Sequence, residues 1–167
     1  MKGLFILILA LCATLNSYCQ TSEDYINQGI AKSQQLDFTG AIADYNKAIE
    51  IDLYNVVPYV LRADTKYKLM DYRGAIVDCD KAIGFDAKNA KAYNIRGHAK
   101  IMLFQHDGGL ADLTKTIELE PKNGEAYYFR GMDKIFLGQK DSGCSDLSKA
   151  GELGYSDAYK AIRLDCN

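Results

Sequence analysis

The stretch AYNIRGHAK, residues 92–100, decides the fold because it recurs along the chain. PYVLRADTK stands 34 residues before it at 58–66, and AYYFRGMDK stands 34 residues after it at 126–134. Three residue types recur at equivalent positions of these copies: Tyr59, Tyr93 and Tyr127; Arg62, Arg96 and Arg130; Lys66, Lys100 and Lys134. A catalytic site is usually built once, so a regular array of the same side chains indicates architecture first.

The same period runs through a second set of segments. These are GAIADYNKAIEID (40–52), GAIVDCDKAIGFD (74–86), GGLADLTKTIELE (108–120) and SGCSDLSKAGELG (142–154). In the first of them Ala41, Tyr45 and Ala48 follow helical spacing and predict a single apolar stripe. Each unit therefore contains two short helices, which are marginal alone and gain stability by stacking on their neighbours. The sequence predicts an all-α chain.

Small residues recur at one position in each predicted helix. The first helices carry Gly29, Ala63, Gly97 and Gly131, and the second helices carry Ala41, Ala75, Gly109 and Gly143. Glycine inside a helix costs ~1 kcal/mol relative to alanine. Its recurrence predicts that another helix approaches closely at these positions.

The pattern resembles the tetratricopeptide repeat (TPR) family. In unit 22–55 it includes Tyr25, Gly29, Ala41, Tyr45 and Ala48, and units 56–89, 90–123 and 124–157 follow in register. Departures are Leu53 and Ala87 where proline is usual, Cys79 at an aromatic position, and Thr116 in place of alanine. The resemblance implies a right-handed α-solenoid of four helix-turn-helix repeats over residues 20–167, closed by a capping helix at 157–167.

The N-terminus has a different composition. Lys2 is followed by an apolar run from Leu4 to about Leu15 and then by small and polar residues, the order of a secretory signal peptide. We expect residues 1–19 to be cleaved and the protein to be exported, periplasmic or secreted. A lipoprotein acylated at Cys19 and a retained anchor are the alternatives. The leader and the closing segment are similar to exported repeat proteins of the Bacteroidota.

Three cysteines remain after such a cleavage. Cys144 lies early in the last repeat helix and Cys166 ends the predicted cap, so export would permit a disulfide that ties the cap to the solenoid. Two buried thiols are the alternative. Cys79 lies on an apolar stripe and is expected to be an inert core thiol.

The recurring arginine and aspartate suggest an ion-pair ladder between stacked helices. Arg96 stands at position 7 of its unit and Asp112 at position 23, and Arg62 with Asp78 and Arg130 with Asp146 repeat this spacing in two other units. Solvated side chains are the alternative, because exposed pairs often contribute only ~0–1 kcal/mol.

Several functional classes lose support from the composition. The formal net charge is −2, so no basic field attracts nucleic acid. His98 and His106 are the two histidines, without CxxC or HExxH spacing, and no GxSxG or phosphate-loop motif occurs. We therefore predict no catalysis, no metal and no cofactor.

The resemblance implies a concave groove lined by the first helices. Its expected residues are Ile26, Ile30, Val60, Asp64, Tyr67, Asn94, His98, Ile101, Tyr128 and Met132. Each of them could instead belong to the core. The carboxylate clamp of the family's chaperone adaptors is absent, because Ile26, Ile30 and Ile95 stand at three of its positions.

Two functions remain open at this point. The first is an exported adaptor that binds a peptide or protein segment in the groove. The second is a structural subunit of a cell-envelope complex that packs through its ends or convex face, and an accessory subunit of an enzyme complex is a weaker third. The partner and the oligomeric state are not predicted, and a membrane is involved only through a possible lipid anchor.

Overall fold

The computed structural model describes residues 20–166, which form nine helices and no strand. They are α1 Ser22–Gln34, α2 Phe38–Ile51, α3 Val56–Lys68, α4 Tyr72–Phe85, α5 Ala90–Met102, α6 His106–Leu119, α7 Gly124–Phe136, α8 Lys140–Glu152 and α9 Asp157–Asp165. The expected signal peptide at 1–19 lies outside the described residues. None of the described helices has the length and apolarity that a membrane span requires.

The helices pack in chain order. Each first helix packs on the second helix of its own repeat, and that helix packs on the first helix of the next. Successive first helices (α1, α3, α5 and α7) also contact one another, whereas within residues 20–166 successive second helices do not. The first helices therefore line the inner, concave side, and the predicted all-α solenoid is confirmed.

Asparagine side chains start three of the first helices. Asn55 accepts a hydrogen bond from the Val57 N–H, Asn89 from that of Ala92 and Asn123 from that of Ala126, each at 3.0 Å. These side chains satisfy amide groups that have no partner within the helix. The same residue at the end of each turn therefore fixes where the next repeat begins.

The close helix approach predicted from the small residues is confirmed. A Cβ atom on Gly131 would lie 2.8 Å from the carbonyl oxygen of Gly143, and one on Gly143 would lie 2.7 Å from that of Gly131. Gly97 and Gly109 face each other in the same way, with corresponding distances of 3.2 and 3.0 Å. The backbones of the two helices are therefore in contact at these points.

The ion-pair ladder is also confirmed. Arg62, Arg96 and Arg130 pair with Asp78, Asp112 and Asp146, and Lys66, Lys100 and Lys134 join the same carboxylates. The carboxylates are buried, so the alternative of solvated side chains is wrong for them. Each arginine also lies 5.3 to 5.7 Å from the ring centre of the tyrosine three residues before it.

The C-terminal helix α9 closes the solenoid. It packs on α8 and α7 through Ala158 and Ala161, which are buried. A disulfide joins Cys144 in α8 to Cys166 after α9, and the Tyr159 hydroxyl donates a hydrogen bond to the Gly151 carbonyl at 3.0 Å. The cap is thus held to the last repeat by apolar, covalent and polar contacts together.

Candidate functional site

A polar cavity of about 420 Å³ lies among the first helices α3, α5 and α7 and the turn before α7. Its lining residues are Asp64, Tyr67, Lys68, Lys91, Asn94, Ile95, His98, Glu120, Asn123 and Glu125. Successive first helices lie near one another on the concave side, so side chains from three repeats converge here. Convergence of polar groups in a concave site is what ligand recognition requires.

Two polar atoms of this cavity are buried without a hydrogen-bond partner among the described residues. They are Oδ1 of Asn94 and Nε2 of His98, from residues one helical turn apart on α5. The amide nitrogen of Asn94 donates to Glu125 Oε2 at 2.8 Å, which fixes the direction of the amide group. Buried polar groups are nearly always hydrogen-bonded, so these two atoms distinguish this cavity from most of the described surface.

His98 is neutral at physiological pH. Burial lowers its pKa to about 4, and its ring packs against aromatic neighbours, with the Phe129 ring centre 4.1 Å away and that of Tyr67 6.1 Å away. Burial also raises the pKa of Tyr67, helped by Tyr72 and Glu125. Both rings therefore offer uncharged polar atoms to a ligand, since neither ionises near neutral pH.

A second cavity, the aromatic cavity of about 260 Å³, lies beside the first. Its lining residues are Ile101, Phe104, His106, Phe129, Met132, Asp133 and Phe136. Phe129 lines this cavity and stacks on His98 of the polar cavity, so the two cavities are neighbours. Asp133 is its one acidic residue, with a side chain only 3% exposed.

The structure divides the predicted groove residues into three groups. Asp64, Tyr67, Asn94 and His98 line the polar cavity, and Ile101 and Met132 line the aromatic cavity. Ile26, Ile30, Val60 and Tyr128 line neither of them. Ile26 and Val60 are buried, and Val60 belongs to the hydrophobic core cluster. That any of the ten contacts a partner stays a prediction.

Some lining residues were not predicted as site residues. Glu120 and Asn123 lie in the turn before α7, outside the first-helix positions that the family pattern assigns to the groove. Phe129 and Asp133 lie on α7 at positions that the pattern does not assign to it. The recurrence itself contained a clue, because charged Asp133 takes a position that Ala31, Thr65 and Ala99 hold in the other repeats.

Neither a metal site nor a reactive thiol is evident in the described part of the chain. Residues 20–166 contain no group of three or more histidine, cysteine, aspartate or glutamate side chains that could hold a metal ion. Cys79 is buried in α4, and burial raises its pKa to about 12. A thiol with so high a pKa is a poor nucleophile.

Comparison with solved structures finds similar repeat domains. The crystal structure of MamA protein superposes with a TM-score of 0.77 at 27% sequence identity, over 86% of this chain and 80% of that one. The Arabidopsis OM64 TPR domain gives 0.67 at 31% identity, over 68% of this chain and 93% of the domain. No protein-family model matches the chain, and no curated protein sequence matches it.

A third structure shows one such domain with a ligand. It is the first TPR of Spaghetti (RPAP3) bound to the HSP90 peptide SRMEEVD, with a TM-score of 0.70 and 28% identity. The match covers 71% of this chain and 94% of that domain. Domains with this arrangement of helices therefore include one that binds a peptide.

Proposed function

Because the chain belongs to the tetratricopeptide repeat family, we propose that it is a non-catalytic adaptor that binds a segment of another protein along its concave face. The observation that carries this proposal is the pair of buried, unpartnered polar atoms on α5, Asn94 Oδ1 and His98 Nε2. A bound segment would supply the missing hydrogen bonds from its backbone or side chains. An interface that leaves them unpaired would cost ~1–3 kcal/mol for each group.

The charges around these atoms favour a mixed polar segment. Lys68 pairs with Asp64 at 2.8 Å, while Lys91, Glu120 and Glu125 add one positive and two negative charges to the same cavity. No single sign dominates. Recognition would therefore depend on direct hydrogen bonds and shape more than on long-range attraction.

The peptide of the RPAP3 complex is not the ligand that we propose. That peptide, SRMEEVD, ends in aspartate and has two glutamates before its last valine. The clamp that holds a C-terminal carboxylate in the family's chaperone adaptors is missing here, since Ile26, Ile30 and Ile95 stand at three of its positions. An internal segment therefore fits the groove better than a free acidic C-terminus.

We further propose that the protein is exported. The order of charged, apolar and small residues at 1–19 supports this, as does the disulfide between Cys144 and Cys166, since such bonds persist in oxidising compartments. N-terminal sequencing of the protein made in its own host tests this directly. A first residue of Gln20 supports cleavage, and an intact Met1 contradicts it.

Site-specific photocrosslinking tests the adaptor function. A photoreactive residue at position 91 on the first helix α5 should capture one dominant partner in the native host. The same residue at position 77, on the second helix α4 and 57% exposed in the native Val77, is the matched control and should not. Asn94→Leu should abolish capture from position 91 without lowering helicity.

The alternative function predicts the opposite pattern. A structural subunit that packs through its ends or convex face would crosslink from position 77, or to copies of itself, and would tolerate Asn94→Leu. That result would contradict the adaptor proposal.

A further inference from the structure

The aromatic cavity differs from the rest of the solenoid in both sequence and chemistry. Three phenylalanines line it, Phe104, Phe129 and Phe136, together with Ile101 and Met132. At its polar side the Asp133 carboxylate accepts a hydrogen bond from His106 Nδ1, with 2.7 Å between the nitrogen and Oδ1. An apolar site with a single acidic group favours a ligand that combines an apolar part with one hydrogen-bond donor.

The second oxygen of this carboxylate has no partner. Oδ2 of Asp133 is buried and makes no hydrogen bond to any described residue, although the side chain is only 3% exposed. A buried carboxylate is costly unless its oxygens are paired. The site is therefore short of one strong hydrogen-bond donor, and a positively charged donor satisfies it best.

The repeats themselves show that this carboxylate is not needed for folding. Its position in the first helix is occupied by Ala31, Thr65 and Ala99 in the other three repeats, where small side chains fit. Its partner His106 likewise replaces Phe38 and Tyr72 of the first two repeats. The architecture is thus built without the pair, and both of its members appear together where the aromatic cavity lies.

The aromatic walls narrow the choice of donor. The His106 and Phe136 rings lie 5.2 Å apart with an angle of 30° between their planes, and Phe136 is 71% exposed at the mouth of the cavity. A guanidinium group is planar, stacks on such rings and is less strongly hydrated than an ammonium group. It also donates in the plane that a carboxylate oxygen requires.

We propose that the aromatic cavity binds one arginine side chain of the protein segment held in the groove, with the guanidinium group donating to the Asp133 carboxylate and stacking on the exposed Phe136 ring. This inference rests on the proposed adaptor function, which it makes specific. Met132 and Ile101, both predicted groove residues, form the apolar wall for the arginine's methylene groups. The polar cavity beyond Phe129 then holds the neighbouring part of the segment.

A peptide titration followed by NMR tests the proposal. The chain has four methionines, so methyl labelling with carbon-13 gives a simple spectrum in which Met132 reports on the cavity and Met70 is an internal control in another repeat. The probe is the tripeptide acetyl-Gly-Arg-Gly-amide. Matched tripeptides carry lysine or citrulline, the latter being nearly the same shape as arginine but uncharged.

We expect the arginine tripeptide to shift the Met132 methyl resonance saturably and to leave Met70 unchanged. The lysine tripeptide should bind several-fold more weakly and the citrulline tripeptide at least tenfold more weakly. Asp133→Asn should weaken arginine binding at least tenfold. Phe136→Ala changes an exposed side chain and should weaken it several-fold, which keeps the test decisive if Asp133→Asn does not fold.

Three results would overturn the inference: no saturable shift, equal binding of citrulline, or equal binding of arginine and lysine. The experiments distinguish a failure of the arginine inference from a failure of the adaptor function. If position 91 still captures a partner while the arginine tripeptide does not bind, only the arginine pocket is wrong.

Discussion

Two parallel hydrogen bonds join Arg96 to Asp112: Nε donates to Oδ2 at 2.9 Å and Nη2 donates to Oδ1 at 2.7 Å. The remaining guanidinium nitrogen, Nη1, donates to Asp80 in the preceding repeat at 2.6 Å. Asp112 is buried, whereas the Asp80 side chain is 55% exposed. Arg96 on α5 therefore binds α6 of the same repeat through a buried carboxylate and α4 of the previous repeat through an exposed one.

Replacing Arg96 with methionine should reveal this difference. The change leaves the buried Asp112 with only Lys100, whose Nζ lies 2.8 Å away, so we expect a loss of about 2–3 kcal/mol in the free energy of unfolding. Asp80→Asn removes only the exposed contact and should cost below about 1 kcal/mol. Urea denaturation of both variants measures the two values. Equal small losses would contradict a stabilising role for the buried pair.

Two glycines should respond to alanine with opposite signs. At Gly131 the new Cβ would meet the Gly143 carbonyl oxygen at 2.8 Å, and backbone atoms yield little, so Gly131→Ala should lower stability by about 1–3 kcal/mol. At Gly84 on α4 no atom lies within 4 Å of the new Cβ. Gly84→Ala should therefore raise stability, by up to ~1 kcal/mol, through helix propensity alone.

Thermal unfolding of these two glycine variants is the measurement. Their opposite signs are the important result, because both changes are chemically identical and both lie within helices. A stable Gly131→Ala protein would show that α7 and α8 are free to move apart.

His98 should make the folded state sensitive to mild acid. The folded protein keeps it neutral down to about pH 4, while the unfolded chain takes up a proton near pH 6.5. The folded pKa is depressed, so the contribution is complete above pH 6.5 and is lost as the pH falls. We expect a loss of about 2 kcal/mol between pH 6.5 and pH 5.

The pH dependence is assigned by comparison with His98→Gln. Urea denaturation between pH 7 and pH 5 should show a weaker slope in this variant. The two proteins differ only at position 98, so the difference between their slopes isolates the contribution of His98. An unchanged slope would show that His98 becomes accessible to protons without unfolding.

How far the sequence predicts this molecule depends on which residues recur. The helices, the glycine contacts and the arginine–aspartate pairs follow from the period, because each depends on side chains that are repeated in register. The aromatic cavity depends on departures from the period. Asp133 and His106 are 27 residues apart in different repeats, and only the packed structure brings their side chains to 2.7 Å.

The groove was harder to predict residue by residue. Ile26 and Val60 stand at positions that face the groove in the family, yet both are buried here, Val60 as part of the hydrophobic core cluster. Glu120 and Asn123 reach the polar cavity from a turn. A pattern defined on helix positions cannot include turn residues, whose reach depends on how consecutive repeats are stacked.

The disulfide should stabilise the capping helix α9 more than it stabilises the repeats. It closes a loop with a sequence separation of 22, which corresponds to about 3 kcal/mol in the chain-entropy model. The double variant Cys144→Ser, Cys166→Ser should lose about that much, with the loss concentrated in α9. Hydrogen exchange shows which helices lose stability in this variant. A dithiol reductant should destabilise the native protein but leave the stability of the double variant unchanged. Uniform loss of protection along all helices would contradict a local role.

An exposed methionine in the turn between α3 and α4 stores strain that glycine would remove. Met70 has a φ of 61°, in the left-handed region, and its side chain is 74% exposed, so little packing supports it. That conformation costs a non-glycine residue roughly 1–2 kcal/mol, and the greater freedom of glycine in the unfolded chain offsets part of the gain. Met70→Gly should therefore stabilise the protein by about 0.5–1 kcal/mol in urea denaturation.

The neighbour Leu69, with a φ of −81°, is the matched control, and Leu69→Gly should destabilise the protein because no strain is relieved there. Equal destabilisation by both glycines would show that Met70 is held by contacts of its side chain and not strained by its backbone.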